Sequence, residues 1–227
     1  WLEVLCAVAL ASPTKSDLQQ RDIILLQDPG TRQRLVDLVS GQAWVADAPM
    51  IAIFCGNNRR QRLMHEWLGV PFANDHLDAF FNATADAAIA LGAFVTAAEA
   101  LGLGCCPISA VRNEAEQVSA LLGLPDHVFP FAGLAIGFPD ATAIAAKRLP
   151  LHVTCHVDQY QEKNLKEAVH QYSDLRAASQ PYHVKRASAP YGESEKYGWV
   201  DDKVRQYSLP EREDFGSFAR AKGFKLD

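Results

Sequence analysis

No apolar run in this 227-residue chain continues uninterrupted for the length of a membrane span. The opening Trp1-Leu2-Glu3-Val4-Leu5 has no basic segment ahead of its apolar residues, so it reads as the inside of a helix and not as a secretory leader. It also lacks an initiator Met, which makes a fragment of a longer protein the expectation. No G-x-G-x-x-G follows a strand-like run and no G-x-x-x-x-G-K-[ST] occurs, so a Rossmann or P-loop nucleotide site has no support. Cysteine is sparse. Cys6, Cys55, Cys105, Cys106 and Cys155 are odd in number and share no repeated spacing, which argues against a disulfide framework and for a reduced, cytoplasmic setting. Positive charge is short as well: 22 Lys and Arg stand against 27 Asp and Glu, and a net charge of -5 argues against a nucleic-acid surface. Internal repeats and low-complexity segments are absent.

What is present suffices for one well-filled core, since 48% of the residues are hydrophobic. Asp22-Ile23-Ile24-Leu25-Leu26 reads as a strand, and Asp28-Pro29 opens a helix, with Asp28 as cap and Pro29 at the first helical position. Pro49 to Cys55 is a short continuous apolar run, as expected of a strand covered on both faces. Asp75 to Leu101 is the longest element, a helix apolar nearly all round, suited to the core of a dimer or of a monomer. Asn113 to Leu122 reads as a helix stopped by Gly123, and Val128 to Ile136 as a buried strand interrupted by Pro130 and Gly133. Beyond Val157 the chain turns polar. It should hold a helix from Lys163 to Leu175, an irregular stretch from Gln180 to Trp199 and a last helix from Glu211 to Lys222. This alternation implies an α+β arrangement of helices around a sheet.

Three short segments could carry chemistry. Pro13-Thr14-Lys15-Ser16 can offer backbone amides, hydroxyls and one positive charge to a polar ligand, although alone it is a surface turn. Pro107-Ile108-Ser109-Ala110 puts small side chains where a ligand could approach the backbone, although alone it is a tight turn from strand to helix. Lys147-Arg148 pairs a point charge with a planar fork suited to phosphate, although alone it is solvated surface. Rival constellations are weaker. His152-Val153-Thr154-Cys155-His156 has no second ligand cluster and reads as a strand end. Cys106 sits in an apolar turn with no charge nearby to activate it.

In this order and spacing the three segments resemble the FMN-dependent nitroreductase family, in its NADPH-linked branch with a long C-terminal extension. The resemblance runs from Trp1 to about Tyr160. It implies a mostly antiparallel sheet flanked by helices, with residues 1–157 as the FMN-binding core and 158–227 as an extension embracing the second subunit of a homodimer. It implies FMN contacts from Pro13, Thr14, Lys15 and Ser16, and from Gln42 just past a helix. Pro107, Ile108, Ser109 and Ala110 would run past the flavin N5, and Lys147 and Arg148 would hold its phosphate. Three positions depart from the family pattern: Lys15 stands where serine is common, Ser109-Ala110 where close relatives have a glycine pair, and Ala146 where the pattern Lys-x-Arg-Leu-Pro has lysine. Lys185 and Arg186 are candidates for the extra phosphate of NADPH, against a plain solvated loop. The activity implied is hydride transfer from NADPH or NADH through flavin to nitroaromatic, quinone or free flavin acceptors, in ping-pong order, with neither nucleic acid nor membrane as partner. The alternative is a flavin-binding or dimeric scaffold protein without enzymatic activity.

Overall fold

The computed structural model describes residues 1–39, 43–140, 145–194 and 196–227. The chain divides into two compact units, Trp1–Ala141 with Arg212–Asp227, and Thr142–Glu211. The first holds α1 (Leu2–Leu10), β1 (Arg21–Leu26), α2 (Pro29–Leu38), β2 (Met50–Asn57), α3 (Arg59–Leu68), α4 (Leu77–Ala100), β3 (Gly104–Ile108), α5 (Ala115–Leu121) and β4 (Val128–Gly137). The second holds α6 (Leu151–Thr154), α7 (Leu165–Ser179), α8 (Ser188–Tyr191) and α9 (Trp199–Tyr207). The chain then returns to the first unit with α10 (Phe215–Ala221).

The four strands form one antiparallel sheet in the order β1-β2-β4-β3, which bears out the expected α+β class with an antiparallel sheet. β2 explains why its sequence is apolar throughout. Successive side chains alternate between faces. Ile51, Ile53 and Cys55 join the core under α2 and α5, while Ala52 and Phe54 join the core under α1 and α4. Burying each large side chain contributes about 1.5–3 kcal/mol. On the second face Phe54 meets Phe94 of α4 edge-on, with ring centroids 5.6 Å apart.

β4 shows how Pro130 is tolerated in an inner strand. Phe54 pairs with Ala132 and Cys55 with Pro130, so Phe131 is an extra residue in a bulge. Phe129 lies so close to β2 that a Cβ at Gly56 would sit 2.3 Å from its ring, and only glycine fits there. Phe129 stacks on Phe80 of α4 at 4.5 Å, and Phe224 meets both rings edge-on, which ties the C-terminal segment to the sheet.

α2 starts as expected: Pro29 opens it, and the Asp28 carboxylate accepts from the Thr31 amide at 2.6 Å. α4 is 24 residues long and apolar enough to cross a membrane, yet it lies across the sheet as a core helix. It is not buried all round in this chain. Ala83, Asp86, Ala87, Ala90, Phe94 and Ala98 are buried, whereas Leu77, Phe81 and Ile89 are exposed.

Other expectations need correction. His152 belongs to the short helix α6, begun after Pro150, and not to a strand end. Among the described residues no group of three or more His, Cys, Asp or Glu could hold a metal. Cys106 lies on β3 and not in a turn. The stretch expected to be irregular up to Trp199 contains α8 and is followed directly by α9, where the Asp201 carboxylate accepts from the Gly198 amide at 3.1 Å.

Candidate active site

The Pro13–Ser16 loop is fixed from below by a single buried carboxylate. Asp86 of α4 is 1% exposed. It accepts from the Thr14 hydroxyl, from the Lys15 amide at 3.0 Å and from the Gln20 amide at 2.8 Å. The buried Arg21 guanidinium lies 3.7 Å from the same carboxylate and donates to the carbonyls of Leu10 at 2.8 Å and Ser12 at 2.7 Å. Both ends of the loop are thereby stapled to α4 and α1. The tension held there is backbone strain: Ser16, Asp17 and Gln19 have φ of 49°, 57° and 52°, left-handed values that non-glycine residues seldom adopt. Pro13, Lys15 and Ser16 remain exposed, available to a ligand. Asp86 and Arg21 were not singled out in the sequence. The available signal was an acid in the middle of an alanine-rich helix, away from Asp78 and Glu99 at its ends, since a buried charge needs a partner.

The second loop follows β3. Pro107 and Ile108 end that strand, and Ser109 and Ala110 begin a 3-10 turn spanning Ser109–Arg112. Ile108 and Ala110 are buried, while Pro107 and Ser109 are exposed. The last ladder pair is Ile108 with Gly133, so the Ser109 amide lies just beyond the sheet, at a helical N-terminus where N–H groups lack intrahelical partners. The Ser109 hydroxyl accepts from Arg212 Nη2 at 3.3 Å, and Arg212 Nε donates to Asn113 Oδ1 at 2.7 Å. The thiols of this strand are quiet. Burial, with Glu99 and Cys106 nearby, pushes Cys105 up to about 11, and burial also raises Cys106. Neither is a thiolate nucleophile at neutral pH.

Lys147 and Arg148 lie in the second unit. Both are exposed, and Arg148 Nη1 donates to the Ala146 carbonyl at 3.2 Å. The Tyr172 hydroxyl of α7 donates to the Lys147 carbonyl at 3.0 Å. Beside them is a cavity of about 360 Å³ whose lining includes Lys147, Arg148, Tyr172, Arg176 and Trp199. Three of its lining residues are cations and none is acidic, which suits a phosphate. The phosphate end of FMN therefore fits the chemistry of these residues.

Lys185 and Arg186 are engaged within the same unit. Lys185 Nζ is 2.6 Å from Glu193 and donates to the Ser194 carbonyl at 3.0 Å. Arg186 Nε lies 3.2 Å from the buried Asp202 carboxylate. Gln42 lies outside the described residues.

The nitroreductase family model matches residues 2–138, and the model of the nitroreductase family C-terminal domain matches residues 147–227. A curated relative, FMN reductase [NAD(P)H] of Bacillus subtilis (strain 168), is 34% identical over 162 residues, covering 70% of this chain and 65% of the relative. FMN reductase (NADPH) of the same organism is 28% identical over 225 residues, covering 98% of this chain and 88% of the relative. Among solved structures, NfrA2 of B. megaterium superposes with a TM-score of 0.89 at 28% identity, covering 100% of this chain and 89% of that one. The two family models between them span almost the whole sequence, with backbone likeness over the same length, and the chain belongs to the nitroreductase family.

Proposed function

We propose that this chain is an FMN-dependent oxidoreductase that draws reducing equivalents from NAD(P)H. The observation that carries the reading is the cavity at Lys147 and Arg148, whose charged lining residues are all cations and suit a phosphate-bearing ligand. The names of the curated relatives, FMN reductase [NAD(P)H] and FMN reductase (NADPH), support it. FMN, when bound, would supply the hydride-transfer chemistry. The protein's part is binding, orientation and electrostatics. Lys147 and Arg148 hold the phosphate, with Arg148 the stronger ligand through its planar fork. Pro13, Thr14, Lys15, Ser16 and Gln42 contact the cofactor, the first four on the loop stapled by Asp86. Pro107, Ile108, Ser109 and Ala110 would line the flavin, with the Ser109 amide as the donor offered to N5. No side-chain acid or base is required.

Lys185 and Arg186 contact the additional phosphate of NADPH, in exchange for their present partners Glu193 and Asp202. Acceptors are nitroaromatics, quinones or free flavin. The working form is a cytoplasmic homodimer in which the segment after residue 157 embraces the partner subunit. Exposed apolar residues on α1 (Val4, Val8) and α4 (Leu77, Phe81, Ile89) support a covered face, since Phe81 is 64% exposed in the single chain. Nucleotide and acceptor use one place in turn. Double-reciprocal plots of NADPH oxidation against a quinone should therefore give parallel lines, and light scattering should give twice the chain mass. Intersecting lines would replace the ping-pong order with a ternary complex, a flavin-loaded monomer would remove the dimer, and an FMN-supplemented chain that leaves NADPH unoxidised would overturn the reading.

A further inference from the structure

We infer that Arg176 is a direct ligand of the phosphomonoester bound beside Lys147 and Arg148, a third cation of that site. Tyr172 and Arg176 stand four residues apart on α7 and share one face of the helix. Tyr172 ties the Lys147-Arg148 segment to that face through the Lys147 carbonyl at 3.0 Å. Trp199 packs edge-on against Tyr172 at 5.2 Å and lines the same cavity. Arg176 lines it too, and its Nη1 is buried without a hydrogen-bond partner among the described residues. A buried guanidinium N–H left unbonded carries its full desolvation cost, and phosphate oxygens in the cavity would remove that cost. Thr154 in the lining adds a hydroxyl donor.

Gln180, the cap just past the end of α7, has its own buried acceptor, Oε1, without a partner among the described residues. It is not among the lining residues of the cavity, so an Arg176–Gln180 pair is the rival use of the guanidinium.

The inference rests on the flavin-reductase reading, and the test separates the two. Full-length wild type, Arg176→Leu, Arg176→Lys and Gln180→Leu are titrated with FMN and with riboflavin, which lacks the phosphate, and then with NADPH and NADH. Losing one charge-assisted contact should weaken FMN about tenfold to a hundredfold in Arg176→Leu. Riboflavin affinity should be unchanged, and Arg176→Lys should recover part of the loss. If FMN is unaffected and NADPH weakens relative to NADH, the phosphate belongs to the nucleotide and Arg176 is still its ligand. Equal loss for FMN and riboflavin, no change in either pair of ligands, or the same pattern in Gln180→Leu would overturn the assignment while leaving the flavin reading intact. A wild-type chain that binds neither flavin would overturn both.

Discussion

Asp86→Ala removes the one carboxylate on which the Pro13–Ser16 loop depends. The change deletes the acceptor for the Thr14 hydroxyl and for the Lys15 and Gln20 amides, and it strips Arg21 of its counter-ion. Arg21 keeps its bonds to the Leu10 and Ser12 carbonyls, but its Nε is already buried without a partner among the described residues, so the remaining charge is poorly satisfied. Breaking a buried charge pair from one side costs about 3–5 kcal/mol. The individual hydrogen bonds are not added to that figure, because they belong to the same network. For a chain of this size each kcal/mol lowers the melting temperature by about 2–4 °C, so a fall of roughly 6–20 °C is expected. The left-handed residues Ser16, Asp17 and Gln19 would lose the contacts that hold their strain, and the loop should open. Trypsin cleavage after the exposed Lys15 reports that opening directly. Asp86→Asn keeps one acceptor oxygen and should fall between wild type and Asp86→Ala in both assays. An Asp86→Ala protein that melts within about 2 °C of wild type and resists trypsin at Lys15 as well as wild type would refute the staple.

Arg148→Ala should weaken FMN binding more than Lys147→Ala, by about 1.5–3 kcal/mol for one charge-assisted hydrogen bond, and equal affinities by fluorescence titration would contradict this. Ser109→Ala gives up only the Arg212 bond at 3.3 Å and should keep most activity. Ser109→Pro removes the backbone donor and should lose flavin reduction, so equal inactivity of the two variants would move the role to the hydroxyl. Asp202 gives an acid-stability test. Burial alone would raise its pKa, but hydrogen bonds from Lys203 and Tyr197, with Lys203 and Arg186 as nearby charges, hold it below the usual carboxylate value. Its contribution is therefore present above the unfolded value of about 3.8 and lost as pH falls through the lower folded value. Urea midpoints should drop less steeply with acid below that pH in Asp202→Asn than in wild type, and parallel curves would show that the carboxylate is not coupled to folding.

The parts of the fold legible in the sequence are those decided locally. Asp28-Pro29 marks a helix start because cap and first turn are neighbours in sequence. β2 is legible in the run from Pro49 to Cys55 because burial on both faces leaves it continuously apolar. α3 was not legible: it presents Arg59, Arg60, Gln61 and Arg62 in its first turn, and the ion pairs of Arg60 with Asp22 and of Arg62 with Asp75 lie across the chain. The same holds for the candidate site. The loop at Pro13 could be found by its residues, but Asp86 lies 66 to 72 positions from the groups it anchors. Lys147 and Arg148 were visible as a basic pair, whereas the cavity exists only once α7 and α9 bring Arg176 and Trp199 beside them.

The central claim is that this chain binds FMN and that a reduced pyridine nucleotide reduces it in place. An absorption spectrum of the purified protein under argon, before and after one equivalent of NADPH, tests it most directly. The account predicts an oxidised flavin band that bleaches on NADPH addition and returns with a quinone, with denaturation releasing FMN. A preparation that stays colourless after incubation with FMN, or a bound flavin that NADPH leaves oxidised, would contradict it.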